Sequence, residues 1–206
     1  MKTRNKALIA VLAILVVSAL WVWRYTALNQ YYQGLDQSSV VHYQMNEEVP
    51  FETDFIEWNV PANGYYISVD GFEILDYHDY LDNAPFELEP MLDSDGIALV
   101  HITLRNEDST DPGIFLSDFC LHGIDSVQGM DWEILTAANP ILNGGHGIQL
   151  KQGTQEEFVL PFYIRKDSFG NDTWNHLQDY SFYLRVTSFP TQKHIALELT
   201  NFDFNP

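Results

Sequence analysis

The side chains of this 206-residue chain that could do chemistry are mostly carboxylates, 29 Asp and Glu against seven His and one Cys. They fall into no familiar catalytic order. There is no Gly-x-Ser-x-Gly elbow, no Ser-x-x-Lys, no His-Glu-x-x-His, no phosphate-binding glycine loop and no Cys-x-x-Cys. Two acidic turns, Asp93-Ser94-Asp95-Gly96 and Glu107-Asp108-Ser109-Thr110-Asp111, offer oxygen ligands of the kind Ca²⁺ takes. Asp93, Asp95, Asp108 and Asp111 are therefore the candidate metal ligands. Neither turn has the glycine offset or closing Glu of the twelve-residue calcium loop, and Asp and Ser are also ordinary turn formers. No other cofactor is implied.

His146, within Asn143-Gly144-Gly145-His146-Gly147, sits where glycines would let a ligand approach the backbone and leave an imidazole accessible. His101 lies in a strand and reads as a packed, hydrogen-bonded residue. Cys120, in Phe119-Cys120-Leu121, reads as a small buried hydrophobe. With a single cysteine, no intramolecular disulfide forms. Tyr77, Tyr80, Trp174 and Phe189 fall in segments read as loops, where exposed aromatics would anchor a partner.

The elements that position these residues follow a period of two. Tyr65-Ile67-Val69, Ala98-Val100-Ile102-Leu104, Phe158-Leu160-Phe162-Ile164, Tyr180-Phe182-Leu184-Val186 and Ile195-Leu197-Leu199 alternate cleanly. Shorter runs are Phe115-Phe119-Leu121, Met130-Trp132-Ile134 and Ile148-Leu150. The apolar parity shifts across Asp70-Gly71, which marks a bulge or a tight hairpin turn. Pro161 indicates an edge strand or a bulge. Only residues 171–179 read as an interior helix, capped by Asn171 or Asp172. Seven or eight short strands with turns between them predict an all-β, antiparallel, immunoglobulin-like β-sandwich over residues 61–206. Trp132, Phe162 and Leu184 are its expected core residues. Tyr183 shares parity with Arg185 and reads as a half-exposed cross-strand partner.

Residues 1–24 set the location. Lys2, Arg4 and Lys6 precede an uncharged apolar run, residues 7–23, that Arg24 closes. As a helix this run would span roughly 25 Å, near the ~30 Å of a hydrocarbon core, with Trp21, Trp23 and Tyr25 as an interfacial belt. It is a retained signal-anchor or a signal peptide cleaved after Ala19. Positive residues at the start place the N-terminus in the cytoplasm and the remainder outside. Residues 25–60 read as a stalk or linker. From Tyr25 onward the chain holds 29 acidic and six basic residues, a net of −23. Nucleic acid, which demands a basic face, is excluded as a partner.

The basic–apolar start, Gly64-Tyr65-Tyr66-Ile67-Ser68-Val69, Ile102-Thr103-Leu104-Arg105-Asn106, Leu160-Pro161-Phe162, Phe182-Tyr183-Leu184 and Ser188-Phe189-Pro190-Thr191-Gln192-Lys193 together carry a likeness. Over residues 60–200 the chain resembles uncharacterised, membrane-anchored extracellular proteins of Gram-positive bacteria with an immunoglobulin-like or telokin-like sandwich. That resemblance implies fold and location and no activity. Three functions follow as expectations. The first is a tethered binding module for an envelope protein, peptide or wall polymer. The second is a structural or assembly subunit of an envelope complex. The third is an enzyme with a dispersed carboxylate pair acting on glycan.

A net of −23 predicts that salt stabilises the fold by screening self-repulsion, the Debye length being ~10 Å at 0.1 M. NaCl at matched ionic strength should then reproduce the CaCl₂ effect on the melting temperature. A calcium-specific rise, abolished in Asp93→Asn/Asp95→Asn, would instead assign the acidic turns to an ion.

Overall fold

The computed structural model describes residues 14–26, 39–55, 62–88, 92–110, 113–123 and 126–204. The chain divides into two compact units, Met1–Ser38 and Ser39–Pro206. In the first, residues 14–26 are helical (α1). Among the described residues no helix is long and apolar enough to cross a membrane. The early part of the expected anchor, residues 1–13, lies outside the described residues.

The second unit is built on two five-stranded sheets. One has the order β1 (Ser39–Tyr43), β11 (Thr191–Leu197), β10 (Phe182–Arg185), β6 (Cys120–Gly123), β7 (Val127–Gln128). The other has the order β12 (Asn201–Asp203), β3 (Tyr65–Asp76), β4 (Gly96–Asn106), β9 (Thr154–Ile164), and β2 (Val49–Pro50) also pairs with β3. A small ladder joins β5 (Ile114–Phe115) to β8 (Gly147–Ile148). Four helices are described: α1, α2 (Tyr77–Asn83), α3 (Trp132–Ala138) and α4 (Asn171–Trp174).

Alternation makes the core. Ile67, Val100, Leu104, Leu160 and Phe162 of one sheet and Leu121, Leu184 and Ile195 of the other are fully or almost fully buried in one cluster. Phe72 meets Phe182 across the two sheets with ring centroids 5.5 Å apart. Phe162 and Leu184 are thus core residues, as their parity requires. The Asp70-Gly71 shift is a bulge: β3 pairs with β4 without interruption except for a slip between Val69 and Gly71. Pro161 lies on β9, the end strand of its sheet.

Four features depart from the sequence reading. Trp132 is 54% exposed, because Asp131 accepts from the Glu133 and Ile134 amides and turns the expected strand into α3. Cys120 is half-buried, its sulfur accepting from Arg185 Nη2 at 3.1 Å. The sheets are not wholly antiparallel, since β1 runs parallel to β11 and β12 parallel to β3. Residues 171–179 form α4 and a separate 3-10 turn, Leu177–Asp179, and Gly170 occupies the N-cap with no side-chain cap bond.

Part of the expected stalk, residues 39–55, packs into the second unit. Val49 and Phe51 are buried, and Phe51 lies 6.2 Å from Phe119. A buried lysine holds this segment down. Lys193 shares parity with Ile195 and Leu197, and its side chain is 2% exposed. Its ammonium donates to Pro50 O at 2.6 Å, Phe51 O at 3.3 Å and Glu52 Oε2 at 2.7 Å, and pairs with the buried Asp54 carboxylate at 2.8 Å. Burial acts to lower the Lys193 pKa, but the hydrogen bonds to Asp54 and Glu52 outweigh it and the value is raised.

A third layer covers part of the outer face of the second sheet. Tyr77 and Ile134, from α2 and α3, pack on Ile97 and Leu99 of β4. Tyr77 donates its hydroxyl proton to the fully buried Asp131 carboxylate at 3.0 Å. Burial and the Asp131 charge push the phenols of Tyr77 and Tyr163 well above their ordinary value.

Replacing Lys193 by Met should cost about 3–5 kcal/mol, because it strands Asp54 and two carbonyls inside the protein. Phe162→Ala should cost a similar ~3–5 kcal/mol through a different cause, a core cavity. Urea melts measure both, and a loss below ~1 kcal/mol for either would contradict its assignment. Since the Lys193 pKa is raised, its share of stability should be complete at neutral pH and fall away only as pH rises past 10.5.

Candidate functional site

The end of the second sheet where β3 turns into α2, and where β9 runs out, has a groove of about 570 Å³. Its lining is Asp76, His78, Asp93, Ser94, Asp95, Arg165, Lys166, Trp174 and Phe204. Each wall is fixed by local hydrogen bonding. Asp76 caps α2, its Oδ1 accepting from the His78 and Asp79 amides at 2.9 and 3.0 Å. That cap places His78 one turn into the groove wall, with Nε2 3.2 Å from Asp93 Oδ1. Ser94 is buried and its hydroxyl lies between Gly96 O at 2.9 Å and Ile164 O at 3.1 Å, tying the acidic turn to the ends of β4 and β9. Asp95 Oδ2 accepts from the Lys166 amide at 2.9 Å, which joins the two loops directly.

Trp174 forms the apolar part. It is 2% exposed, edge-on to Phe204 at 5.3 Å, with the Lys166 ammonium 5.8 Å from its ring centre. Its indole N–H is buried and has no acceptor. A buried donor without a partner is costly, on the order of 1–3 kcal/mol. The groove thus sets carboxylates (Asp76, Asp93, Asp95) beside cations (Arg165, Lys166). Arg165 is itself paired to Asp167 at 2.9 Å.

This groove gathers three of the residues singled out in the sequence, Asp93, Asp95 and Trp174. Trp174 serves as buried lining and not as an exposed loop aromatic. Tyr77 is likewise buried and not exposed, its hydroxyl lying 3.2 Å from Leu92 O behind the acidic turn. Tyr80 is half-buried against Phe86, ring centres 6.3 Å apart. Phe189 is 36% exposed and packs on Phe55 at 5.5 Å. His146 is half-buried against Trp132 at 4.8 Å. Asp108 follows β4 whereas Asp93 and Asp95 precede it, so these two acidic turns lie at opposite ends of an 11-residue strand and cannot share one ion. Asp111 lies outside the described residues. Among the described residues, no three His, Cys, Asp or Glu come together as a metal site.

The sequence reading missed Asp76, His78, Arg165, Lys166 and Phe204. A signal was available for one pair: Arg165-Lys166 holds two of the six basic residues beyond Tyr25, directly after a strand.

A second groove of about 460 Å³ includes Asp70, Glu73, His101, Asn139 and Glu157 in its lining. There His101 Nε2 meets Glu73 Oε1 at 2.9 Å, the hydrogen-bonded strand histidine expected. Asn201 holds the other Glu73 oxygen at 2.9 Å.

No curated protein matches the chain. Among solved structures it is similar to the yjhA protein from Bacillus subtilis, at 12% identity and a TM-score of 0.40, over 76% of this chain and 99% of that one. Residues 40–193 match the family described as Domain of unknown function (DUF5028). The matched region starts within β1 and ends at the buried Lys193, so it takes in residues 40–60 of the segment read as a stalk. By that match the chain belongs to the DUF5028 family.

Proposed function

We propose that this protein is an extracytoplasmic binding module, immunoglobulin-like in build and held to the cytoplasmic membrane of a Gram-positive bacterium through residues 7–23. Its ligand site is the charged groove, and its ligand carries both a cationic and an anionic group, as a peptide or an amino-acid-substituted wall polymer does. One observation carries the reading: carboxylates (Asp76, Asp93, Asp95) and cations (Arg165, Lys166) together line a groove of about 570 Å³ beside a buried tryptophan. That volume lies within the ~300–1,000 Å³ of ordinary ligand pockets. A ligand ammonium would sit toward Asp93 and Asp95. Its carboxylate would sit toward Lys166.

A second reading, docking to an envelope protein as an assembly subunit, is favoured by a different observation. Trp132 (54% exposed) packs on His146, and Phe115 (53% exposed) pairs in register with the neighbouring Gly147, giving an exposed apolar surface around the histidine. The carboxylate-pair enzyme has no comparable support.

Calorimetric titration with tri-alanine tests the groove. Capping its amine by acetylation, or its carboxylate as the amide, should each weaken binding about tenfold or more, the loss of one charge-assisted hydrogen bond of ~1.5–3 kcal/mol. Asp95→Asn and Lys166→Met should mirror the two caps. Equal binding of all three peptides would reject the charge-paired site.

The anchor is tested separately. Full-length protein should resist carbonate extraction from membranes, and Leu15→Arg should release it, at about 2.5–3.5 kcal/mol for a charge at the helix centre. A mature protein starting at Leu20 in the medium would replace the anchor with a cleaved signal.

A further inference from the structure

Away from the groove, the outer face of the first sheet carries a row of rings supplied by four adjacent strands. His42 on β1 pairs in register with His194 on β11, their rings edge-on at 5.5 Å. Tyr183 on β10 is stacked between His194, at 4.4 Å and 22°, and His122 on β6, at 5.2 Å and 13°. Arg185 lies in register between His194 and Cys120 and donates to the Cys120 sulfur.

Three nitrogens of this row lack partners among the described residues. His194 is 7% exposed, and its Nε2, the Nε2 of His122 and the Nε of Arg185 are all buried with no hydrogen bond. The groups facing His194 are His42 from β1, Tyr183 and Arg185 from β10, and His122 and Cys120 from β6. In a chain with 29 carboxylates, no ion pair among the described residues reaches any of the three imidazoles or Arg185. Added protons therefore have no counter-charge at this place. Burial first, then His42, His122 and Arg185, bring the His194 pKa from 6.5 to about 4. Burial and Arg185 lower that of His122.

The strand able to respond is β1. It ends its sheet, pairs on one side only, and Ser39–His42 are exposed. Its neighbour β11 is held independently by Lys193. The next fixed points after His42 are Tyr43 and Met45, which pack on the core, the Met45 sulfur accepting from the Glu198 amide at 3.1 Å.

We propose that the His42–His194–Tyr183–His122 row is an acid-operated latch that keeps β1 on the sheet at neutral pH and lets it go on acidification. Protonation of the imidazoles sets like charges against one another and against Arg185, and β1 separates because, of the four strands in the row, it is the one paired on a single side among the described residues. Release frees residues 39–42, roughly 13 Å of extended chain at ~3.3 Å per residue. In a tethered protein, that length is added to the linker ahead of the domain. The interval between 6.5 and about 4 through which His194 is displaced lies at the acidic side of the range in which imidazoles act as switches.

The sign follows from linkage. A group whose folded pKa lies below 6.5 takes up protons more readily in the open state, so the closed state weakens as pH falls from 6.5 toward 4. Between pH 7 and pH 5 the opening constant should rise by up to about 20-fold if opening restores His194 to its ordinary value.

Hydrogen exchange of the full-length protein at pH 7 and pH 5, corrected for intrinsic rates, reads this directly. Amides of residues 39–42 should lose about tenfold or more in protection while β3 and β4 stay unchanged. His194→Phe keeps the stack, removes the titrating group and should abolish the loss. Arg185→Gln leaves all three imidazoles in place, lessens their repulsion and should reduce the loss. Equal loss across both sheets, a loss that persists unchanged in His194→Phe, or no effect of Arg185→Gln would each overturn the latch.

Discussion

One lysine ties the domain shut. The Lys193 ammonium lies inside the protein with four oxygen partners, all from Pro50, Phe51, Glu52 and Asp54. Asp54 answers in turn by accepting from the Thr191 amide on the same strand. A charge so placed is stable only if every partner is present, since an isolated ammonium in a dry interior is costly. The network therefore acts as an all-or-none tie between the segment carrying β2 and the strand β11. With it in place, Phe51 reaches the core and β1 can lie along β11.

Cations are scarce here, and nearly every one has a defined task. Arg105 holds Glu48 through two hydrogen bonds, at 2.7 and 3.0 Å, and lies over Tyr66. Lys193 ties the fold, Arg185 stands in the ring row, and Arg165 and Lys166 line the groove. In an acidic domain a positive group at a cavity is more informative than a negative one. Surplus carboxylates are explained by solubility alone, whereas a concentrated pair of cations beside a buried tryptophan requires a local reason.

The groove is rigid because buried bonds lie behind it. The Asp131 carboxylate caps α3 with one oxygen and accepts from Tyr77 with the other, and the Tyr77 hydroxyl also lies against Leu92 O, next to Asp93. The Ser94 hydroxyl bridges the ends of β4 and β9. A site on loops gains precision when its supports are packed and hydrogen-bonded in this way. The ring row is the opposite case, rings in contact with their nitrogens unsatisfied, and that difference separates a fixed site from a responsive one.

The sequence by itself determined the β character, the inward parity of Phe162 and Leu184, the outward parity of Tyr183, the parity shift at Asp70-Gly71 and the apolar start. Each of these depends on neighbours one or two positions away, because side chains alternate across a strand. It did not disclose that Asp131 would start a helix at Trp132, since a strand pattern and a short capped helix look alike over five residues. Nor did it show that Tyr77 and Trp174 are buried, because their covers come from α3 and from Phe204, far along the chain. Only the tertiary structure brought His42, His122 and His194 onto one face, and Asp76, Asp95 and Lys166 around one groove. Strand pairing between distant segments decides which side chains meet, and local periodicity carries no record of the partner.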